Sequence, residues 1–204
     1  MREHLTLFAT TIALVTALSP IEARALEARD PPSLVTNLVS EAIDEVKQSQ
    51  DSDEVRAQKF RALLEAGFDI PRISRFVLGR FWNAASDAER KQFTTLFEDW
   101  VVRTYSARFR DYSGQTIKVT GTRPESDTSS VVLSQFVNPN APKPAKVEWH
   151  VRKEGDGAYK VVDVSVEGVS MALTERDEIA AVADRNGGTA SGLNKALEQR
   201  LAQQ

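Results

Sequence analysis

Hydrophobic residues recur every three or four positions through the first half of the chain. In the segment PPSLVTNLVSEAIDEVKQS, a stripe at four-residue spacing consists of Leu34, Leu38, Ala42 and Val46. This spacing predicts an amphipathic helix that begins at the Pro31-Pro32 pair. A second helix is predicted from Asp53 to Ala66, because Gly67 is a typical helix end. Its inward residues are expected to be Val55, Phe60, Leu63 and Leu64.

Two further helices are indicated by residues that favour helix starts. Asp69 is a typical N-cap and Pro71 suits a first turn, so a third helix is predicted through PRISRFVLG. Ser86 and Glu89 have the spacing of a capping box, which predicts that the longest helix starts there and runs to about Tyr112. Along one side of that helix lie Phe93, Leu96, Phe97, Trp100, Val101 and Thr104.

The second half of the chain changes to a period of two, which is typical of strands. Four segments show it: TIKVTG, SVVLSQFV, AKVEWHVRK and YKVVDVSVEG. One face of the third segment carries Val147, Trp149 and Val151, and one face of the fourth carries Val162, Val164 and Val166. Asn-Pro-Asn and Gly-Asp-Gly turns separate the strands, and helical segments follow them. The pattern predicts an α+β fold, with helices packed on one face of a four-stranded, mainly antiparallel sheet.

The N-terminus predicts export. An apolar run extends from Leu5 to Leu18, Pro20 follows, and Ala23-Arg24-Ala25 fits the small-residue rule for signal peptidase. We therefore expect residues 1–25 to be a cleaved signal peptide and residues 26–204 to form a single domain; an uncleaved anchor is the alternative. The 204-residue chain has no cysteine, so its core alone must hold the fold, which suits a bacterial periplasm.

Composition gives little support to catalysis or nucleic-acid binding. The net charge is −3, and the chain has neither a P-loop nor a dinucleotide fingerprint. After signal removal His150 is the one histidine, and it alternates onto the polar face of its strand. Glu148 and Asp163 are a possible carboxylate pair, although solvated surface charges are the commoner interpretation. We expect no enzyme activity, no cofactor and no metal site.

The abundant apolar surface has two interpretations that periodicity cannot separate. Either the helices and the sheet bury it entirely against each other, or they leave a cavity between them.

Three segments resemble a known family. These are FVLGRFW (Phe76 to Trp82), the helix F..LFEDWVV.TY..RF..Y.G (Phe93 to Gly114) and VVDVSVEGVSMALTERDEIAAVADRNGG (Val161 to Gly188). They are similar to the toluene-tolerance, or MlaC, family of periplasmic lipid-binding proteins. The resemblance implies a curved sheet backed by helices, an apolar pocket for phospholipid acyl chains, and a non-enzymatic carrier. It also implies two partners: an outer-membrane lipoprotein complex and an inner-membrane ABC transporter complex with an MCE-domain protein. We expect a monomer, because a shuttle must release both of its partners.

The resemblance implies a lipid-binding set drawn from the most apolar segments. Predicted wall residues are Phe76, Val77, Phe81, Trp82, Phe97 and Trp100; predicted floor residues are Val147, Trp149, Val151, Val162, Val164 and Val166; predicted mouth residues are Val169 and Met171. Arg75, Arg80 and Arg152 are candidate headgroup contacts. A hopanoid-type lipid is an alternative cargo, and a periplasmic interaction module without cargo is an alternative function.

Overall fold

The computed structural model describes residues 28–48, 51–107 and 112–203, and the predicted signal peptide lies outside them. Within these ranges seven helices and five strands follow one another. The helices are α1 (Pro31–Gln48), α2 (Asp53–Gly67), α3 (Ile70–Leu78), α4 (Phe81–Ala84), α5 (Asp87–Ser106), α6 (Met171–Arg185) and α7 (Ala190–Ala202). The strands are β1 (Thr116–Ser126), β2 (Ser129–Val137), β3 (Ala145–Lys153), β4 (Tyr159–Val166) and β5 (Val169–Ser170).

The helix starts confirm the signals in the sequence. The Asp69 carboxylate accepts a hydrogen bond from the backbone N–H of Arg72 at 3.0 Å. The Ser86 hydroxyl accepts from the N–H of Glu89, and the Glu89 carboxylate accepts from the N–H of Ser86 at 2.8 Å, which completes the capping box. One inward assignment was wrong: Val55, in the first turn of α2, is 37% exposed.

The sheet is antiparallel with strand order β1-β2-β3-β4-β5. It has five strands where four were predicted. The extra strand arises because Glu167 and Gly168 both adopt positive φ, at 50° and 81°, and turn the chain sharply. Val169 then pairs with Val166 in a two-residue strand that leads directly into α6.

A bulge in β4 changes the face on which its valines lie. Trp149 pairs with Val164, but the next pairs are His150 with Asp163 and Val151 with Val161, so Val162 has no opposite partner. The simple alternation that placed Val162 beside Val164 was therefore wrong. Val161 takes the inward position instead, next to Val151, and it is fully buried.

Two main apolar clusters hold the molecule together. The first joins α3, α4, α5, α6 and α7 into a helical layer, in which α5 packs against α7 and α3 against α6. The second lies where α1 crosses the sheet, and its buried members are Leu34, Val35, Leu38, Val132, Val151 and Val161. Helix α2 contacts both α1 and α5, so it lies between the two clusters. Among the helices of the described ranges, none combines the length and the apolar character needed to cross a membrane.

Candidate functional site

A cavity of about 630 Å³ lies between α1, α2 and the sheet. Its lining is almost wholly apolar on the helical side. The residues that line it are Leu38, Val39, Ala42, Ile43, Val46, Phe60, Leu63, Leu64, Phe68, Tyr112, Gln115, Thr116, Ile117, Phe136 and Trp149. This hollow decides between the two interpretations of the apolar surface, since part of that surface faces space rather than protein.

Helix α1 serves as core at one end and as cavity wall at the other. Leu34 and Val35 are fully buried against the sheet. About two and three turns after Leu34, Ala42 and Val46 continue the same stripe, but they are only half-buried and line the cavity. The stripe is uniform in sequence, so the difference between its two ends comes from what lies opposite the helix: buried sheet residues at one end and the cavity at the other.

Helices α1 and α2 touch closely at the inner end of the cavity. A Cβ placed on Gly67 would lie only 2.4 Å from Leu38 Cδ2, so the glycine permits this approach. Phe68 follows directly, and the backbone N–H of Asp69 donates to the carbonyl of Val161 at 3.0 Å. That hydrogen bond fixes the end of α2 to the sheet and places the Phe68 ring in the cavity wall.

The sheet supplies the opposite wall through cross-strand neighbours. Ile117 on β1 pairs with Phe136 on β2, and both side chains line the cavity. Trp149 on β3 lies farther in, and its indole N–H donates to the Ser134 hydroxyl at 3.0 Å. Because that hydrogen bond satisfies its polar edge, the indole adds apolar surface to the cavity without an unpaired donor.

Polar residues occupy one border of the cavity, where the chain enters β1. Tyr112, Gln115 and Thr116 line it there. The Gln115 side chain accepts from the backbone N–H of Ser113 at 2.7 Å and donates to the Ser113 hydroxyl at 3.3 Å. This border is the polar margin of an otherwise apolar hollow.

Trp149 is the one predicted lipid-binding residue that lines the cavity. The predicted wall residues Val77, Phe81, Phe97 and Trp100 are buried in the helical layer, with Trp82 packed against them. Helices α6 and α7 cover them with Ile179, Ala183, Leu193, Leu197 and Leu201. Phe76 is 42% exposed, and the Arg176 guanidinium lies 5.1 Å from the centre of its ring. A role in lipid binding for these six residues stays a prediction.

The predicted sheet residues are spread over several environments. Val147 and Val151 are buried, and Val162 and Val164 are half-buried. Val166 and Val169 are 39% and 60% exposed at the turn before α6, and Met171 is the half-buried first residue of that helix. None of these seven lines the cavity, and their contact with lipid stays a prediction.

The cavity residues that were not proposed as lipid contacts belong mostly to α1 and α2. Leu38, Ala42, Val46, Phe60 and Leu63 were predicted to lie on apolar helix faces but were not named as lipid contacts. The sequence did contain a signal that these residues could line a cavity, because the two helices precede every strand and carry long apolar stripes. Phe136, Tyr112, Gln115 and Thr116 carry no comparable signal, because their position depends on how β1 and β2 pair.

The two carboxylates considered for catalysis, Asp163 and Glu148, have different neighbours in the sheet. Asp163 accepts hydrogen bonds from the Ser170 hydroxyl at 2.6 Å and from the N–H of Ala172 at 3.0 Å, so it caps the start of α6. Glu148 pairs across the sheet with Ser165, while Asp163 pairs with His150, so the two carboxylates are not cross-strand partners. Over the residues that the structure describes, no group of three or more His, Cys, Asp or Glu is arranged to hold a metal ion.

Two comparisons relate the chain to known proteins. The family model described as MlaC protein matches residues 35–199. A solved structure of the phospholipid-binding protein from Ralstonia solanacearum, in complex with a phospholipid, is similar to this chain with a TM-score of 0.71 and 26% sequence identity. That match covers 83% of this chain and 95% of the other. The α+β fold with an open antiparallel sheet is thus shared with a protein that holds a phospholipid.

Proposed function

The chain belongs to the MlaC family, and we propose that it is a periplasmic, non-enzymatic lipid carrier. It holds phospholipid acyl chains in the cavity between α1, α2 and the sheet. It shuttles them between an outer-membrane lipoprotein complex and an inner-membrane ABC transporter complex with an MCE-domain protein, which maintains the lipid asymmetry of the outer membrane. The phospholipid bound to the Ralstonia solanacearum protein supports this class of cargo.

The observation that carries the proposal is the apolar cavity of about 630 Å³. A cavity of 150 Å³ in another protein stays dry and accepts benzene, which is roughly 25 Å³ per carbon. By the same ratio this cavity accepts roughly 25 carbons. It therefore has room for one complete acyl chain and part of a second.

Transfer through water requires such a hollow. Each exposed methylene costs about 0.8 kcal/mol, so a tail of about sixteen carbons costs on the order of 12 kcal/mol in water. A carrier removes that barrier only if it covers most of the tail. Helices α1 and α2 offer such apolar contact to a tail through Ala42, Ile43, Val46, Phe60 and Leu63.

Mass spectrometry of lipid extracted from the purified protein tests the proposal. We expect phospholipid at close to one molecule per protein, and transfer of labelled phospholipid from donor to acceptor vesicles when the protein is added. Protein stripped of lipid and then mixed with vesicles provides the second measurement, since a carrier reloads.

Three other outcomes would each indicate a different function or cargo. A protein that contains no lipid and takes none from vesicles would be an interaction module, and the carrier proposal would fail. A polycyclic mass in place of phospholipid would identify a hopanoid-type cargo. Lipid binding without transfer between vesicles would support storage rather than shuttling.

A further inference from the structure

The wall of the cavity continues into a small charged recess at the far end of α1 and the start of α2. Four residues, Ala42, Val46, Phe60 and Leu63, line both the cavity and the recess. The recess also contacts Glu45, Arg56 and Lys59, and its volume is about 20 Å³. That volume holds little more than a water molecule, so a larger polar group would lie over its rim.

Three charged side chains, Glu45, Arg56 and Lys59, line the recess, and Asp51 and Asp53 form ion pairs with two of them. We call these five residues the rim cluster. Lys59 forms ion pairs with Glu45 and, at 3.1 Å, with Asp51. Arg56 pairs with Asp53 and donates to the backbone carbonyl of Asp51 at 2.6 Å. Hydrogen bonding to Glu45, opposed by partial burial, raises the pKa of Lys59, so the ammonium stays charged.

The rim cluster carries more negative than positive charge. Three carboxylates and two cations leave a net charge of −1. A simple anion approaching the cations therefore also meets an excess of negative charge. A group that carries both signs does not, because its cation can face Glu45 or Asp51 while its anion faces Lys59 or Arg56.

The three arginines that the sequence suggested as headgroup contacts are less favourably placed than the rim cluster, because none of them lines the cavity or the recess. Arg80 pairs with Asp184 on α6, in the helical layer. Arg75 lies on α3, and Arg152 lies on β3 opposite Lys160. The rim cluster, in contrast, shares four wall residues with the cavity.

We propose that the rim cluster is a headgroup subsite that selects a zwitterionic phosphate–ammonium headgroup over an anionic one. The phosphate faces Lys59 and Arg56, and the ammonium faces Glu45 and Asp51, while the acyl chains enter the cavity past Val46 and Phe60. This inference rests on the proposed carrier function and adds a headgroup preference to it.

Competitive loading tests the subsite. Lipid-free wild-type protein is mixed with vesicles containing equal parts of phosphatidylethanolamine and phosphatidylglycerol with identical tails, and the bound lipids are quantified by mass spectrometry. We expect phosphatidylethanolamine to be enriched. In the double variant Glu45→Gln, Asp51→Asn the cluster becomes net positive, and we expect the ratio to shift toward phosphatidylglycerol by about twofold to fivefold, the range for partly exposed charge pairs.

A second variant and a control make the result specific. Lys59→Gln leaves the cluster more negative, so we expect phosphatidylglycerol uptake to fall further while phosphatidylethanolamine is less affected. Lys91→Gln changes the net charge equally at an exposed position on α5, and we expect the wild-type ratio. Thermal unfolding of each variant establishes that it is folded, and either cluster variant alone is sufficient for the test.

Two results would overturn the subsite. They are equal uptake of both lipids by the wild type, and a ratio that is unchanged in both cluster variants. Uptake of lipid without preference would leave the carrier function intact. Failure to take up either lipid would instead contradict the carrier function itself.

Discussion

A side-chain hydrogen bond between Trp149 and Ser134 joins the cavity wall to the interior of the sheet, between strands β3 and β2. The indole N–H donates to the Ser134 hydroxyl at 3.0 Å, and that hydroxyl donates to the Val147 carbonyl at 3.0 Å. Ser134 is buried, so the hydroxyl has no ready replacement in solvent. The pair holds the ring in place and keeps a polar group away from the cavity.

Ser134→Ala removes that acceptor. We expect the free energy of unfolding to fall by about 1–3 kcal/mol, because a partly buried indole N–H is left without a partner. Urea unfolding measures the change. In a Trp149→Phe background the same substitution should have a smaller effect, since no indole N–H remains, and equal effects in both backgrounds would contradict the assigned role of Ser134.

Ala42→Phe narrows the cavity from the side of α1. The added ring takes the room of roughly six carbons. We expect bound lipid to shift toward shorter tails and to decrease in amount, with a stability that is unchanged or raised by about 1 kcal/mol through filling of the hollow. Lipid extraction with mass spectrometry and urea unfolding measure the two effects.

The matched control for that substitution is Ala181→Phe on the exposed face of α6. It adds the same ring to a helix that does not line the cavity, so lipid content should match the wild type. An Ala42→Phe protein that carries the wild-type tails in the wild-type amount would place the lipid outside this cavity.

Local signals predicted the elements well, whereas the cavity depended on tertiary packing. The capping box at Ser86 and Glu89 acts within one turn, and the alternation around Trp149 acts within one strand, so both are readable in sequence. Phe97 and Leu63, in contrast, have the same apolar periodicity. One is covered by α7 and the other faces the hollow, and nothing near either residue specifies which helix lies opposite.

The bulge at Val162 shows a second limit of sequence patterns. Val161 and Val162 are identical in type, and strict alternation placed Val162 inward. The register shift between His150 and Val151 reverses that order, and Val161 becomes fully buried. A bulge inserts one residue without a distinctive composition here, so the error could not be detected from the residues alone.

Gly192→Ala tests the connection between α6 and α7. A Cβ at this position would lie 1.9 Å from the backbone carbonyl oxygen of Asn186, which cannot move as a side chain does. We expect a loss of about 1–3 kcal/mol in the free energy of unfolding. Gly155→Ala is the control, since a Cβ there meets nothing within 4 Å and the φ angle is not positive. Similar losses in the two variants would contradict the steric argument.

The last prediction concerns Glu175, whose carboxylate lies between α5 and α6. It accepts hydrogen bonds from the Trp100 indole and the Tyr105 hydroxyl, both at 3.3 Å. Burial, together with the nearby Glu178, raises the pKa of Glu175 above its ordinary value of 4.5, and the two hydrogen bonds only partly oppose this. The folded state therefore binds this proton more tightly than the unfolded state does. The resulting stability is present in full below the ordinary pKa and is lost as the pH rises through the folded value.

Glu175→Gln removes the charge, keeps one acceptor oxygen for the Trp100 indole, and places an amide N–H where it can donate to the Tyr105 hydroxyl oxygen. We expect the variant to be more stable than the wild type at neutral pH, with the difference shrinking as the pH falls toward 4.5. Urea midpoints of both proteins between about pH 4 and pH 8 measure this. Glu178→Gln, on the same helix, is the control: it removes the neighbouring charge but not the buried carboxyl, so part of the wild-type slope should persist. A Glu175→Gln protein that is less stable than the wild type at neutral pH would mean that the two hydrogen bonds outweigh burial.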